Sequence, residues 1–268
     1  MSLPRIGVFD SGVGGLTVLR AIANQQPAHF LYFGDTARLP YGTKSAETVA
    51  RYASGAARFL ESQGVDLLVV ACNSATALAL PQIEQAVRVP VIGVVEPGAQ
   101  VASEVSKTRT AVVIATDATV RSHAYRTALQ RRSVDAYEKA CPLLVPLVEE
   151  GWVEHPVTEQ VARIYLDEAF AAASGQADVL VLACTHYPLL APLLRRITPA
   201  EVAIVDSAET TARSVKARLA DFPAPTVSGA DHRTFRFFVT DSVEKFKRLA
   251  TSFLGRQVDN VEHVDLGG

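Results

Sequence analysis

The chain has 268 residues, 49% of them hydrophobic and 20% charged, with a formal charge of −2. That length suits one large domain or two of ordinary size, and the composition excludes a disordered chain. Near-neutral charge gives no electrostatic reason to bind nucleic acid or an anionic membrane, and no apolar run nears the roughly 18 residues of a membrane span.

Three cysteines, an odd number, make no disulfide framework. The opening "MSLPRIGVFD" lacks the regions of a secretory leader. The expectation is a reduced, cytoplasmic protein.

Apolar runs of strand length alternate with longer amphipathic stretches. Strands are predicted at 5–10, 29–35, 66–72, 89–95, 110–116, 178–184 and 202–207. Helices are predicted at 15–25, 45–63, 74–87, 97–106, 119–131, 156–174, 188–196 and 208–220. Runs of Val, Ile and Leu without alternation fit strands covered on both faces, hence a parallel sheet flanked by helices with right-handed crossovers. The stretch "RTFRFFVTDSVEKFKRLATSFLG" reads as one more strand, a turn and an amphipathic helix.

An internal echo adds to this. "DLLVVAC" at 66–72 and "DVLVLAC" at 178–184 agree at five of seven positions, both opening on Asp and closing on Cys. The following strands keep the same offset, pairing Ile92 with Ile204. The pattern predicts two pseudo-symmetric α/β domains with mostly parallel sheets. The first is expected to take 1–96 plus 208–268, the second 97–207.

"GVFDSGVGGLTVLR", from residue 7, places backbone where a ligand can approach. Three readings compete. Gly12 and Gly14, with Asp35 further on, partly match a dinucleotide fingerprint, but Thr17 stands at the third glycine position. For phosphate chemistry there is no Gly-Lys-Ser/Thr sequence, and Gly12 stands where a second acid belongs. The third reading is a small, dicarboxylic amino acid. Asp10-Ser11, Asn73-Ser74 and Thr185-His186 each fall at a strand's carboxyl end, where open α/β sheets bind ligands. Helix N-termini there present free N–H groups suited to a carboxylate.

Cys72 and Cys184 each end a buried strand and precede polar residues opening a helix, a setting that lowers a thiol's pKa. Free cysteine often merely packs, and that remains the reading of Cys141. Zinc spacings are absent, so no metal is expected. No lysine motif for pyridoxal phosphate is evident either, so no cofactor is expected. A hydrolase needs one thiol and leaves the other idle. Two thiols from matched halves suit proton transfer at a carbon centre, one taking a proton as the other returns one to the opposite face.

With these residues, "YFGDTARLPYGTKS", "ACNSATA", "GVVEPG", "ATDATVRSHAY", "CPLLVPLVEEG", "LACTHYPLL" and "DSAETTA", the chain resembles the cofactor-independent aspartate/glutamate racemase family over nearly its whole length. The resemblance implies two α/β domains with the active site in the cleft between them and the C-terminal segment completing the first. It also implies interconversion of L- and D-glutamate, with the D-form serving peptidoglycan synthesis. It implies Cys72 and Cys184 as the proton donor/acceptor pair, Asp10 assisting Cys72, and His186 with Glu149 assisting Cys184. Asp10-Ser11, Tyr41-Gly42, Asn73-Ser74 and Thr185-His186 become substrate-binding pairs, with Thr116 and Thr119 on the carboxylate side. One departure is Ser74, where the family usually has Thr; both carry a hydroxyl.

Each residue also has an ordinary use. Asp10, Asn73, Ser74, Thr119 and Thr185 suit helix caps, "LPYG" suits a turn, His186 a core position, and Glu149 a solvated helix end. Rival functions are a relative with another substrate, such as an aspartate racemase or an arylmalonate decarboxylase-like enzyme, and a noncatalytic amino-acid-binding protein. The sole partner expected from the motifs is the small-molecule substrate; a homodimer is an expectation for sedimentation to check.

Overall fold

The computed structural model describes residues 3–220 and 233–267. In chain order it runs β1 (Arg5–Asp10), α1 (Leu16–Gln25), β2 (His29–Gly34), α2 (Ala46–Ser62), β3 (Leu67–Val70), α3 (Asn73–Ala86), β4 (Val91–Gly93) and α4 (Val95–Val105). Then come β5 (Thr110–Ala115), α5 (Asp117–Ser122), α6 (Ala124–Gln130), β6 (Asp135–Ala140), α7 (Leu144–Glu149), α8 (Pro156–Ala172), β7 (Val179–Ala183) and α9 (Ala191–Ile197). The described chain closes with β8 (Ala203–Asp206), α10 (Ser207–Leu219), β9 (Thr234–Val239), α11 (Val243–Leu254) and β10 (Val261–His263).

The strands form two sheets, ordered β10-β9-β2-β1-β3-β4 and β6-β5-β7-β8. Every strand pairing among the described residues is parallel. The order β2-β1-β3-β4 in one sheet is repeated as β6-β5-β7-β8 in the other, the counterpart of the sequence echo. β9, α11 and β10 extend the first sheet. Residues 221–232, expected in the first domain, lie outside the described residues.

Unalternating apolar strands bury both faces here. In β3 and its extension, Leu67, Val69 and Ala71 enter one core while Leu68, Val70 and Cys72 enter another. β7 splits in the same way, Leu180, Leu182 and Cys184 against Val179, Val181 and Ala183. The first of these cores runs from one sheet to the other, through α1 and α10.

The aspartates that open the repeated runs do the same structural work. Asp66 Oδ2 accepts from the Arg5 amide at 2.8 Å, at the start of β1. Asp178 Oδ2 accepts from the amides of Lys107 and Thr108 at 2.6 and 2.9 Å, just before β5. Each carboxylate pins the chain entering the neighbouring strand, in line with the net fall of the Asp178 pKa to about 2: burial alone would raise it, but the hydrogen bonds from Ser106, Thr108 and Lys107 outweigh that.

The expected helix 119–131 is two helices, broken at His123, whose φ of 53° is left-handed. The expected helix 188–196 begins as a 3-10 turn over Tyr187–Leu190, because Pro188 and Pro192 each lack an N–H. β6 was not expected: "DAYEKA" is an edge strand, with only Ala136 buried, and lacks the two-sided apolar signal.

Candidate active site

A cavity of about 450 Å³ opens beyond the carboxyl ends of both sheets. Ser11 follows β1, Cys72 to Ser74 follow β3, Thr116 follows β5, and Cys184 to His186 follow β7; all of them line it. Tyr41, Gly42 and Glu149 complete the set drawn from the sequence. Asp10 and Thr119 do not line the cavity. Both are buried, at 2% and 0% exposure, beside residues that do line it.

The turn between β1 and α1 settles what its glycines are for. A Cβ on Gly14 would stand 2.3 Å from Thr185 Oγ1 and 2.5 Å from His186 Nδ1. Glycine is needed there so that the end of β7 can close onto the first sheet. Thr17, the departure from the dinucleotide fingerprint, is part of the same junction: its hydroxyl lies 2.8 Å from the Thr185 carbonyl oxygen and 2.9 Å from that of Gly14. The opening stretch thus holds the two sheets together at the cleft.

Cys72 caps α3, its sulfur accepting from the Ala75 amide at 3.4 Å, and its thiol reaches Ser11 Oγ at 3.4 Å. The cap position predicts an acidified thiol, but burial and the nearby Asp10 carboxylate outweigh the hydrogen bonds from Ser11 and Ala75. Its pKa is pushed up to about 12. Asp10 accepts from the Gly12 amide at 2.8 Å through Oδ2, while its buried Oδ1 has no partner. Burial raises its pKa above the usual carboxylate value, against the pull of Gly12 and His186.

Cys184 stands in a different field. His186 Nδ1 lies 3.9 Å from its sulfur, and His186 Nε2 lies 3.0 Å from Glu149 Oε1. Phe253 of α11 packs edge-on against the ring, centroids 5.1 Å apart. Burial works against a charged imidazole, yet the hydrogen bonds with Cys184 and Glu149 prevail and raise His186 to about 10. Its hydrogen bond in turn lowers Glu149. One thiol therefore faces a cation and the other a carboxylate.

Three hydroxyls from both sheets meet on one side of the cavity. Ser74 Oγ lies 2.9 Å from Thr116 Oγ1 and 3.5 Å from Thr119 Oγ1, and the two threonines are 3.0 Å apart. Tyr41, buried, donates to Asp35 Oδ2 at 2.5 Å, and Thr240 reaches Asp35 Oδ1 at 2.9 Å. These bonds hold the loop carrying Gly42 against Thr116.

Sequence reasoning missed Leu39, Pro142, Val145 and Lys245 in the lining. No chemical signal marks an aliphatic wall, and Lys245 arrives from α11, far along the chain. Cys141 is buried with its sulfur 3.6 Å from the Lys139 carbonyl oxygen, as a packing residue, though it also borders the cavity. Among the described residues no group of three or more His, Cys, Asp or Glu is placed to hold a metal ion, and no helix is long and apolar enough to cross a membrane.

Two parallel α/β layers with a thiol from each at a shared cleft define an amino-acid isomerase of the cofactor-independent type. The Asp/Glu/Hydantoin racemase family model matches residues 6–215, and the chain belongs to that family. The glutamate racemase of Koribacter versatilis is 60% identical over 99% of this chain and 98% of its own. The structure is similar to that of Thermus thermophilus glutamate racemase in complex with β-chloro-D-alanine (TM-score 0.85, 44% identity, 98% and 97% covered). It is also similar to Francisella tularensis glutamate racemase in complex with D-glutamate (TM-score 0.89, 32% identity, 99% of both chains covered). Within the family the chain stands among the glutamate racemases.

Proposed function

We propose that this chain interconverts L- and D-glutamate by proton transfer between two thiols, without a cofactor, and so supplies D-glutamate for peptidoglycan synthesis. The observation that carries the reading is that Cys72 and Cys184, from matched strands of two sheets, line one cavity, each beside its own ionisable partner.

On this reading the lobe of 1–96 with 208–268 presents Cys72 to one face of the α-carbon, and the lobe of 97–207 presents Cys184 to the other. The sulfur that lacks its proton takes the α-proton; the carbanion formed receives a proton from the opposite thiol. The two sulfurs end with exchanged roles, and the reverse reaction starts from there. The His186 imidazolium, held by Glu149, stands beside the Cys184 sulfur. Asp10 stands ready to take the Cys72 proton. The hydroxyls of Ser74 and Thr116, backed by Thr119, and the free N–H groups at the start of α3 receive a substrate carboxylate. Ser11, Tyr41-Gly42, Asn73 and Thr185 complete the binding wall.

Incubation of either enantiomer in deuterated water tests this. The expected result is optical activity decaying to zero from both sides, with deuterium at the α-carbon of each product. Cys72→Ser and Cys184→Ser should each abolish full racemisation. A Cys184→Ser variant that racemises at the normal rate overturns the role given to that thiol; binding without α-deuterium uptake would mean a noncatalytic binding protein.

A further inference from the structure

We infer that Tyr125 is a positioning residue that fixes the Asn73 side-chain amide so that an N–H, not a carbonyl oxygen, is offered to the substrate carboxylate. The inference rests on the proposed glutamate chemistry and adds a determinant of binding that lies outside the cavity wall.

Asn73 is the first residue of α3 and lines the cleft. Its amide is held at both ends by residues from elsewhere in the chain. The hydroxyl of Tyr125, on α6, donates to Asn73 Oδ1 at 2.7 Å. Asn73 Nδ2 donates to Ser207 Oγ, at the start of α10, at 3.3 Å. Tyr125 is fully buried and does not line the cavity. Its ring is wedged against Gly98 of α4, where an added Cβ would meet the ring at 3.2 Å and the hydroxyl at 3.3 Å.

The amide orientation follows from proton counting. A serine hydroxyl donates or accepts, so Ser207 tolerates either end of the amide. The phenol is less permissive. Burial, then the field of Cys184 and of Asp206, raise its pKa and keep it protonated, and that proton must be given to an acceptor. Among the described residues Asn73 Oδ1 is the acceptor within hydrogen-bond reach of its hydroxyl. Flipping the amide would strand the phenol proton in a buried site. Oδ1 is therefore committed to Tyr125 and one Nδ2 proton to Ser207. The second Nδ2 proton is the valence left for an anion. A flipped amide would turn lone pairs toward the carboxylate instead.

Steady-state racemisation by Tyr125→Phe, Ser207→Ala, Asn73→Ala and the Asn73→Ala/Tyr125→Phe pair tests this, with wild type assayed first. Phe keeps the ring and removes the proton. KM for both enantiomers should rise about tenfold, the order of a lost hydrogen bond to a charged group, with kcat within about threefold of wild type. Ser207→Ala should leave KM within about twofold, because the phenol still dictates the orientation. In the Asn73→Ala background Tyr125→Phe should add nothing further to KM. An unchanged KM for Tyr125→Phe, an equal rise for Ser207→Ala, or a full second rise in the double variant would each overturn the inference.

Should Tyr125→Phe not fold, Asn73→Asp answers the same question. It keeps an acceptor for Tyr125 but turns a charged oxygen toward the substrate, so an ordinary KM in a folded Asn73→Asp protein overturns the inference. A wild-type protein that does not racemise glutamate brings down the functional reading, and this inference with it, and is told apart from a positioning failure because the variants are then beside the point.

Discussion

His186 bridges Glu149 and Cys184, with Nε2 3.0 Å from the carboxylate and Nδ1 3.9 Å from the sulfur. Glu149→Gln keeps a hydrogen-bond acceptor and deletes the charge. His186 then loses its proton below the present value of about 10, and the alkaline limb of kcat against pH moves to lower pH. Loss of the orienting charge should cost on the order of 10² in kcat. The stability signs agree. A His raised from 6.5 contributes fully below 6.5, and that contribution is lost as pH rises through about 10. Glu149, lowered from 4.5, contributes above 4.5 and loses it as pH falls. Melting of the variant should lie furthest below wild type between 4.5 and 6.5, the gap closing toward pH 10.

Asp10 is a buried carboxylate with an unpartnered Oδ1, and burial raises its pKa. The raised value means that its charge opposes folding at neutral pH, and the opposition is relieved as pH falls below its folded pKa. Asp10→Asn removes that charge and keeps an acceptor for the Gly12 amide. The variant should melt no lower than wild type at pH 7 in calorimetry, while kcat falls by on the order of 10² to 10³. A large fall in melting temperature would mean that the carboxylate is chiefly a cap.

Gly14→Ala drives a methyl into the Thr185 hydroxyl and the His186 ring, and both must shift to make room. Displacement of reacting groups by about 1 Å costs on the order of 10² in rate. The expected variant folds, by circular dichroism, with kcat reduced at least that far.

Ser74→Ala removes one corner of the hydroxyl triangle with Thr116 and Thr119. KM should rise about tenfold in initial-rate assays, with a smaller change in kcat, because the hydroxyl serves binding in ground and transition states alike.

Burial holds Cys72 at about 12. Thiolate carries the nucleophilicity, so iodoacetamide at pH 8 should label Cys72 on the order of 10² times more slowly than free cysteine. Rapid labelling mapped to Cys72 by mass spectrometry would contradict this.

The sheets were legible because both faces of β1, β3, β5 and β7 are apolar, and the cysteines because matched strands end on them. Other features left no local trace. β6 is polar because it lies at an edge. The break at His123 depends on one left-handed residue in an otherwise helical run. Glu149 sits at a helix end that looks like any solvated one, and only the fold brings it to His186. The same holds for Tyr125 and Asn73, two residues 52 apart in the chain whose hydrogen bond joins two helices. The expected acidity of Cys72 went wrong because the cap is real but desolvation is larger.

Mirror-image amino acids are equal in free energy, so the two directions of turnover share a single kcat/KM whatever the catalyst does. A cation beside Cys184 and a carboxylate beside Cys72 nevertheless make the cleft electrically lopsided. The lopsidedness can surface only as compensation: whichever enantiomer has the lower KM must have the lower kcat, by the same factor. A duplicated fold thus yields a catalyst that is impartial in efficiency and partial in tempo.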